Sequence, residues 1–328
     1  MTSVLREERG MALLLVLMIV AMLAALLTEF AFSTLVDLRL TETFRDSTRA
    51  YYLSKGGVTV GRVLLQSDTN DYDAGNEMWA QGVANYPVGD GFLSVSIEDQ
   101  GGKLDINNLW NRIGKNPDST RVRQVYELFS LLGLPEPENL VAALVDWLDE
   151  GDEETTEINL GLNDPPINAR GVEAPYYLRL DAPYPSRNGR ITSIEELRLI
   201  RGFTPEVLKQ VAPHLTVNGS TTINVNTASP QVLAAVIAGG TITTMADAEN
   251  AAELIAAQRQ VEPIKNISEI KNIQGISAGD YSRISTAGLT VKSDTYRIDS
   301  EGGVGDGVRR IEAFVQKTGD KLLYIKVN

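Results

Sequence analysis

The chain has 328 residues, with 30 lysines and arginines against 43 aspartates and glutamates, and its formal charge is −13. It contains no cysteine and one histidine, which excludes disulfides, thiolate zinc sites, cysteine nucleophiles and histidine-cluster metal sites. The acidic balance argues against a nucleic-acid binder, which normally presents a basic face, and a hydrophobic share of 43% indicates a folded core. The metal that suits such an oxygen-rich chain is a hard cation such as calcium.

An uninterrupted apolar segment near the N-terminus predicts a membrane span. Every residue from 11 to 27 is apolar, and these seventeen residues would form ~26 Å of helix at ~1.5 Å each, close to the ~30 Å of a bilayer core. Phe30, Ala31 and Phe32 extend the segment, so residues 11–32 are assigned to the membrane. A buried helix of a soluble protein is the alternative, but it would show a polar face, which is missing over four turns.

A short charged segment, residues 1–10, precedes this span. A secretory signal would be followed by small residues and a loop, whereas here the apolar run continues into a helical pattern. Arg6 and Arg9 favour a cytoplasmic N-terminus, which places the body of the chain across the membrane. The junction resembles the leader of type IV prepilins and pseudopilins. That resemblance implies cleavage between Gly10 and Met11 and N-methylation of the new amine of Met11.

Position 15 departs from the pattern of that family. Most members have glutamate at the fifth mature position, where it pairs with the N-terminal amine of a neighbouring subunit, and this chain has Leu15. A lone carboxylate in the apolar core costs about 2.5–3.5 kcal/mol, so it is retained only where a partner exists. Leu15 therefore favours a subunit at the tip of a fibre, with sequence drift as the alternative.

The helical pattern continues beyond the membrane to about residue 66, because apolar and charged residues keep helical spacing without proline. Gly56 and Gly57 weaken this helix and mark either a bend or close packing on a sheet. A period of two then predicts strands at residues 91–99, 103–106, 289–292, 295–298, 310–315 and 322–327, with glycine-rich turns at 101–102, 301–303 and 318–320.

The region between these strands, residues 107–287, has helical spacing. Helices are predicted at residues 121–132, 137–149, 193–200, 205–215, 229–238, 245–260 and 268–273. The predicted fold is α+β: a pilin-like long N-terminal helix packed on an antiparallel sheet, with a large all-helical domain inserted between strands. Residues 33–106 and 288–328 would form the two parts of the pilin-like domain. Two domains with separate sheets are the alternative.

An acidic loop follows the helix that ends near Trp147. Carboxylates at a helix C-terminus oppose the helix dipole, and a bound cation would compensate for that. The carboxylates of residues 149–154 suit calcium, although their spacing is not that of an EF-hand. A solvated acidic loop is the alternative.

Two segments, residues 193–208 and 267–277, have the glycine turn of helix-hairpin-helix units, and residues 224–233 form a further helix start. Such hairpins in DNA repair proteins present backbone N–H groups to phosphate. Here the flanking Glu195, Glu196, Glu206 and Glu269 offset the nearby bases, so compact helical packing is favoured over DNA binding.

Several motifs follow one another in a distinctive order, at residues 103–107, 145–149, 177–188, 196–202 and 224–228. Together they resemble one family, general secretion pathway protein K, whose members are the large minor pseudopilins of the type II secretion system. The resemblance implies calcium in the helical domain, with Asp149, Asp152, Glu153 and Glu173 as the candidate ligands. Ala174 replaces an aspartate of the family, Gly151 interrupts its acidic spacing, and the frequent cysteine pair is absent.

The resemblance implies a non-enzymatic minor pseudopilin in the bacterial inner membrane, single-pass, with its body in the periplasm. It would cap the tip of the pseudopilus and help to initiate its assembly for the export of folded proteins. The implied partners are other minor pseudopilins in a heterotrimeric tip complex, the prepilin peptidase and the inner-membrane assembly platform, without nucleic acid. One alternative is a DNA-binding competence pilin. The other is a membrane-anchored hydrolase, for which His214 has no nucleophile beside it in sequence.

Overall fold

The computed structural model describes residues 4–161, 164–240 and 244–328, with side chains from residue 10 onward. Residues 1–3 of the predicted leader lie outside the described residues. The α-helices are α1 Val4–Ser67, α2 Met78–Gln81, α3 Ser119–Leu131, α4 Pro137–Leu148, α5 Ala174–Tyr177, α6 Pro205–Val211, α7 Pro230–Gly240, α8 Met245–Val261 and α9 Ala278–Ile284. The described residues also form 3₁₀-helices at Ile106–Leu109, Ile194–Leu199 and Ile267–Asn272. The strands are β1 Val83–Val88, β2 Gly91–Asp99, β3 Leu104–Asp105, β4 Trp110–Asn111, β5 Asn116–Pro117, β6 Glu157–Ile158, β7 Ile167–Asn168, β8 Leu215–Thr216, β9 Ile223–Asn224, β10 Leu289–Thr290, β11 Thr295–Val304, β12 Gly307–Gln316 and β13 Lys321–Val327.

Helix α1 is continuous over 64 residues, and its two halves have different surroundings. The apolar first half packs against nothing else in the described chain, and a segment of it is long and apolar enough to cross a membrane. Hydroxyls in this half bond to the preceding turn, as Thr28 Oγ1 does to Ala24 O at 2.8 Å and Thr34 Oγ1 to Phe30 O at 2.8 Å. They therefore present no unsatisfied donor to lipid.

The second half of α1 packs on a five-stranded antiparallel sheet with the order β1-β2-β11-β12-β13. Side chains alternate between the two faces of the sheet along β2 and β11, so one face of each strand is turned toward α1. The core between this face and α1 includes Leu65, Trp79, Val95, Tyr296 and Ile298. The long helix on an antiparallel sheet, together with the helices of the remaining chain, confirms the predicted α+β fold class.

Glycines allow α1 to approach the sheet closely. A Cβ at Gly57 would lie 2.1 Å from Ser300 Oγ and 2.8 Å from Leu93 Cδ1, and a Cβ at Gly302 would lie 2.6 Å from Ala50 O. The sequence left a bend or close packing on a sheet as alternatives for Gly56 and Gly57. Gly57 is closely packed on the sheet, and α1 continues through both glycines.

These two neighbouring glycines give a matched test of the close packing. Gly57→Ala is expected to destabilise the protein by about 1–3 kcal/mol, because the sheet must move to admit the methyl group. A Cβ at Gly56 would meet no other part of the described chain within 4 Å, so Gly56→Ala is expected to stabilise α1 by up to about 1 kcal/mol. Urea unfolding of both variants measures the difference, and equal effects of the two substitutions would contradict the packing account.

Three predictions about strands and turns are wrong in detail, and one strand was not predicted. Residues 103–106 do not return along β2, because Leu104-Asp105 pairs in parallel with Leu215-Thr216. Likewise β10 pairs in parallel with β9 instead of joining the main sheet. The strand that pairs with β2 in the early hairpin is β1, which the sequence analysis missed. Finally, residues 301–303 are part of β11, and the chain turns at Gly305-Asp306.

The chain between β2 and β11 folds around its own core, although these two strands are hydrogen-bonded neighbours. Helices α3, α4, α7 and α8 build most of that core, around buried side chains such as Leu128, Phe129, Leu144 and Ile255. The region is not purely helical: its described residues include four two-residue ladders, and the predicted helices at 193–200 and 268–273 are 3₁₀-helices. We call the chain between β2 and β11 the insertion.

A buried polar network joins the insertion to the sheet at the end of β2. The carboxylate of Asp99 accepts hydrogen bonds from Gly101 N at 2.7 Å, Ser293 Oγ at 2.6 Å and Asn224 Nδ2 at 3.1 Å. The hydroxyl of Thr227 also donates to it. Because burial raises the pKa of Asp99, these donors are what hold a carboxyl group in this position.

Candidate functional site

Helix α4 positions the main acidic cluster. Its residues 140–148 are all buried, so the carboxyl group of Asp146 lies inside the insertion instead of on its surface. Trp147 holds the end of the helix in place through two contacts. Its ring packs edge-on against that of Tyr177, with 5.1 Å between the ring centroids, and its Nε1 donates to Glu196 Oε1 at 3.0 Å. The chain then leaves the helix at Asp149, which is extended.

Three carboxylates meet at this end of α4. One oxygen each of Asp146, Asp149 and Glu173 lies within 4.8 Å of the others, and the three residues are 0%, 8% and 1% exposed. We call these residues the carboxylate cluster. Of the four candidate calcium ligands, the structure brings Asp149 and Glu173 together. It adds Asp146, which the sequence analysis missed as a ligand.

The hydrogen bonds of the cluster leave one carboxylate without donors. Asp146 accepts from Thr155 N at 3.1 Å, and Asp149 accepts from Gly151 N at 3.0 Å. Both carboxylate oxygens of Glu173 are buried and have no hydrogen-bond partner within the described residues. A buried carboxylate without a donor is costly, so this group requires a proton or a cation.

The pKa values of the cluster reflect that cost. Burial, followed by the charges of Asp146 and Asp149, raises the pKa of Glu173 to about 8. Burial is also the main cause that raises the pKa of Asp146 to about 6, and it raises the pKa of Asp149 as well. At neutral pH the three groups therefore cannot all be ionised without a compensating positive charge.

The surroundings of the cluster fit a hard cation. The three carboxylates supply oxygen atoms, the ligands that calcium prefers. Asn188 Oδ1 is another buried acceptor without a partner in the described chain, and its Nδ2 donates to Gly151 O at 3.1 Å. Gly171 closes the site, since a Cβ there would lie 1.9 Å from Asp146 Oδ2.

The two other candidate ligands, Asp152 and Glu153, are exposed on the loop after α4 and are not among the three clustered residues. Asp152 is close enough for its charge to raise the pKa values of Asp149 and Glu173. The loop thus carries further carboxylates beside the buried cluster, but not inside it.

A second acidic group, Asp68, Asp73 and Glu77, is paired with a cation of the chain itself. Lys317 Nζ lies 2.7 Å from Asp68 Oδ2 and 2.9 Å from Asp73 Oδ1. Glu77 accepts a hydrogen bond from Trp79 Nε1 at 2.9 Å. The ammonium group of Lys317 therefore holds the position that a cation would take.

The residues predicted for processing and assembly lie on α1. Gly10, Met11 and Leu15 are all helical and exposed, Met11 at 70% and Leu15 at 57%. Leu15 therefore presents its apolar side chain on the outside of the span, on the surface that would face lipid or another helix.

The single histidine has a structural environment. His214 Nδ1 lies 2.8 Å from Ser229 Oγ, and that hydroxyl accepts from Val232 N at 3.2 Å at the start of α7. Burial, followed by the charge of Lys103, lowers the pKa of His214. Among the described residues no carboxylate hydrogen-bonds to the ring, so a Ser-His-Asp arrangement is not formed here.

The two hairpins singled out in the sequence turn at Gly202 and Gly275, which have φ values of 89° and 100°. In each, a 3₁₀-helix precedes the turn and a seven-residue helix, α6 or α9, follows it. Each hairpin carries an exposed glutamate close to its turn in sequence, Glu206 in the first and Glu269 in the second.

Comparison with known proteins identifies one family throughout. Two family models described as "Type II secretion system (T2SS), protein K" match residues 102–220 and 223–292. A type II secretion system protein K from Aeromonas hydrophila is 25% identical over 335 residues, covering 98% of this chain and 97% of the relative. One from Pseudomonas aeruginosa is 28% identical over 243 residues, covering 70% of this chain and 68% of the relative.

A solved structure shares the fold. A chain in "The Crystal Structure of the GspK-GspI-GspJ complex from enterotoxigenic Escherichia coli Type 2 Secretion System" has a TM-score of 0.67 at 17% identity, covering 89% of this chain and 99% of that one. The comparisons therefore confirm the family that the sequence motifs resemble, and they do not favour the competence pilin. The two matched regions together take in most of the insertion and more than half of the chain, so this chain belongs to the protein K family and is a minor pseudopilin of the type II secretion system.

Proposed function

We propose that this minor pseudopilin caps the tip of the periplasmic pseudopilus and helps to initiate its assembly for the export of folded proteins. The observation that carries the proposal is the exposed Leu15, which offers a neighbour no carboxylate for its N-terminal amine. The bulk of the insertion supports the same position, because a domain of this size would obstruct a subunit stacking above it.

The apolar half of α1 indicates how the subunit would enter the fibre. The apolar half of α1 would hold the subunit in the inner membrane, single-pass, with the N-terminus in the cytoplasm and the sheet and insertion in the periplasm. The prepilin peptidase would cleave between Gly10 and Met11, and Met11 would be N-methylated. The assembly platform of the inner membrane would then lift the mature chain out of the bilayer.

Other minor pseudopilins are the partners proposed for α1. Between the membrane and the sheet, α1 leaves apolar side chains exposed: Leu40 at 64% and Phe44 at 75%. Helices of neighbouring subunits would cover them and would replace lipid along the span. The similar solved structure is that of a GspK-GspI-GspJ complex, which supports a heterotrimeric tip complex.

Calcium is the cation proposed for the carboxylate cluster. Asp146, Asp149 and Glu173 would hold it, and exposed Asp152 and Glu153 are available on the adjoining loop. A divalent cation supplies positive charge that allows all three buried groups to ionise. The three side chains would then fasten the end of α4 to the segment before α5. In a chain without cysteine, this cation would take the structural role of a disulfide.

This role is structural, so the chain is proposed to have no catalytic activity. The hydroxyl of Ser229 caps α7 and bonds to His214, and the carboxylate cluster is buried away from solvent. The net charge of −13 likewise opposes the DNA-binding alternative.

Labelling of the fibre tests the tip position. We expect a tag after Asn328 to label pseudopili at one end only, with one copy per fibre in sheared and purified material. A tag on the major pseudopilin is the control and should label the fibre along its length. Labelling of this chain along the length, or many copies per fibre, would contradict the proposal.

A further inference from the structure

A groove on the surface of the insertion lies behind the carboxylate cluster. One wall is an extended ribbon, in which Ala169 N donates to Thr156 O at 2.9 Å and Gly171 N donates to Thr155 O at 2.8 Å. The other wall is α5 with the residues that follow it, and the cavity between them measures about 530 Å³. This volume lies within the roughly 300–1,000 Å³ that is typical of ligand sites.

Three arginines surround this cavity: Arg170 on the ribbon, Arg179 after α5 and Arg201 after the second 3₁₀-helix. All three are exposed, and none forms an ion pair within the part of the chain that the structure describes. The guanidinium of Arg201 is held over the ring of Tyr176, 5.6 Å from its centroid. We call this site the arginine groove.

The floor of the arginine groove is partly apolar, formed by Pro175, Tyr176 and Leu180. Glu154 is the one carboxylate among the lining residues that the structure describes, so the side chains of the groove carry a net positive charge. This is unusual on a chain whose net charge is −13, because most of its surface repels anions.

We propose that the arginine groove binds an acidic peptide segment of a partner protein in the periplasm. A guanidinium fork binds a carboxylate with two parallel hydrogen bonds, and three such forks around one cavity suit several carboxylates on one segment. The apolar floor suits aromatic or aliphatic side chains between them. The repulsion from the remaining surface would restrict such a segment to this place.

The position of the groove favours a protein over a membrane as the occupant. Helix α1 packs on α2, β2, β11 and β12, whereas the groove lies on the insertion, apart from the segment assigned to the bilayer. The apolar floor favours a peptide with apolar side chains over a free phosphate group, which would leave that floor uncovered.

Binding of a defined peptide tests the proposal with the full chain in detergent, in buffer containing calcium. The probe is a fluorescent ten-residue peptide of alternating glutamate and leucine, measured by anisotropy at low and at physiological salt. The triple variant Arg170→Gln, Arg179→Gln, Arg201→Gln is expected to weaken binding about tenfold, since exposed ion pairs each contribute modestly.

A second triple variant separates the groove from overall charge. Lys209→Gln, Lys271→Gln, Arg309→Gln removes the same charge from exposed positions outside the groove and should leave binding within about twofold. The same peptide with glutamine for glutamate should bind much more weakly. Equal loss in both triple variants, equal binding of the glutamine peptide, or no binding at low salt would overturn the proposal. So would groove-dependent binding of anionic lipid vesicles or of inorganic phosphate without binding of the peptide.

Discussion

Replacing Glu173 by glutamine is expected to raise the stability of the calcium-free protein at pH 8 and to remove its stabilisation by calcium. The wild-type cluster must either keep a proton on Glu173 or hold a third negative charge without a hydrogen-bond donor. The amide of Glu173→Gln has no charge, so that cost disappears, but it also supplies a weaker ligand to the cation. The measurement is the Tm of the full chain in detergent, with calcium and with chelator.

The free energy of unfolding of the calcium-free protein should also depend on pH, and it should fall as the pH rises. The pKa of Glu173 is raised from 4.5 to about 8 by burial and by Asp146 and Asp149, so the folded state binds the proton more tightly than the unfolded state. The stabilisation that the folded state gains from this tighter proton binding is complete below pH 4.5 and is lost as the pH rises toward 8. Stability should fall over this range by an amount on the order of 3 kcal/mol. In Glu173→Gln the part of this fall that Glu173 contributes should be absent, while the contribution of Asp146, between pH 3.8 and about 6, should remain.

Calcium should reverse this dependence, because it stabilises the ionised carboxylates. At a concentration about 100 times its Kd, calcium would add about 3 kcal/mol to the free energy of unfolding of the wild-type protein. Glu253→Gln is the matched control, since Glu253 is exposed on α8 and is not part of the cluster. Wild-type Tm values that do not change with chelator at pH 8, or equal effects of the two glutamine variants, would contradict a structural cation at this site.

Asp99→Ala is expected to destabilise the protein by about 3–5 kcal/mol. The substitution removes the acceptor shared by Gly101 N, Asn224 Nδ2, Ser293 Oγ and the Thr227 hydroxyl, all at the junction between the sheet and the insertion. The buried Gly101 N would lose its acceptor, and the hydroxyls of Ser293 and Thr227 would lose theirs, while Asn224 Nδ2 would keep Asp73 O. Because Asp99 belongs to β2 and its donors belong to the insertion, we expect the insertion to become more susceptible to proteolysis relative to the sheet.

Asp306→Ala is the control for this experiment. Asp306 is an exposed aspartate in the turn between β11 and β12, so its replacement should change the free energy of unfolding by less than about 0.5 kcal/mol. Urea unfolding and limited proteolysis of both variants provide the comparison. If Asp99→Ala were no more destabilised than Asp306→Ala, the network would not be what joins the two parts.

Local patterns in the sequence predict the helices of this protein better than the pairing of its strands. The hydrophobic run and the absence of proline are sufficient for α1, whose residues are apolar in the span and amphipathic where it meets the sheet. The strand β1 was missed because it contains Asn85, with a positive φ of 49°, and Pro87, which breaks the strand pattern. Such residues are tolerated there because β1 is an edge strand.

Glycines were misleading in β11. The sequence Glu301-Gly302-Gly303 is typical of a turn, but in the structure it is a strand with small residues facing α1. The requirement for Gly302 comes from the backbone of Ala50, more than two hundred residues away in sequence. No local pattern contains that information.

The candidate site likewise has a part that the local sequence indicates and a part that only the tertiary structure shows. Asp146 and Asp149 are three residues apart, the spacing that places two side chains on one face of a helix, so this pair could have been recognised as a unit. Glu173 comes from a distant segment and was identified only by resemblance to the family. That its two oxygens are buried without donors follows from tertiary packing alone.

The most direct test of the account is the mass of the N-terminus of the membrane-inserted chain, coexpressed with the prepilin peptidase of the same secretion system. The account predicts a mature chain that begins at Met11 with a methylated amine and remains in the membrane fraction. Gly10→Val should abolish this product. Gly75→Val should leave it unchanged, because a Cβ added at this open position would meet no other part of the described residues within 4 Å. An intact N-terminus at Met1, or cleavage after Ala25 within the apolar run, would contradict the assignment of this helix as the anchor of a processed pseudopilin.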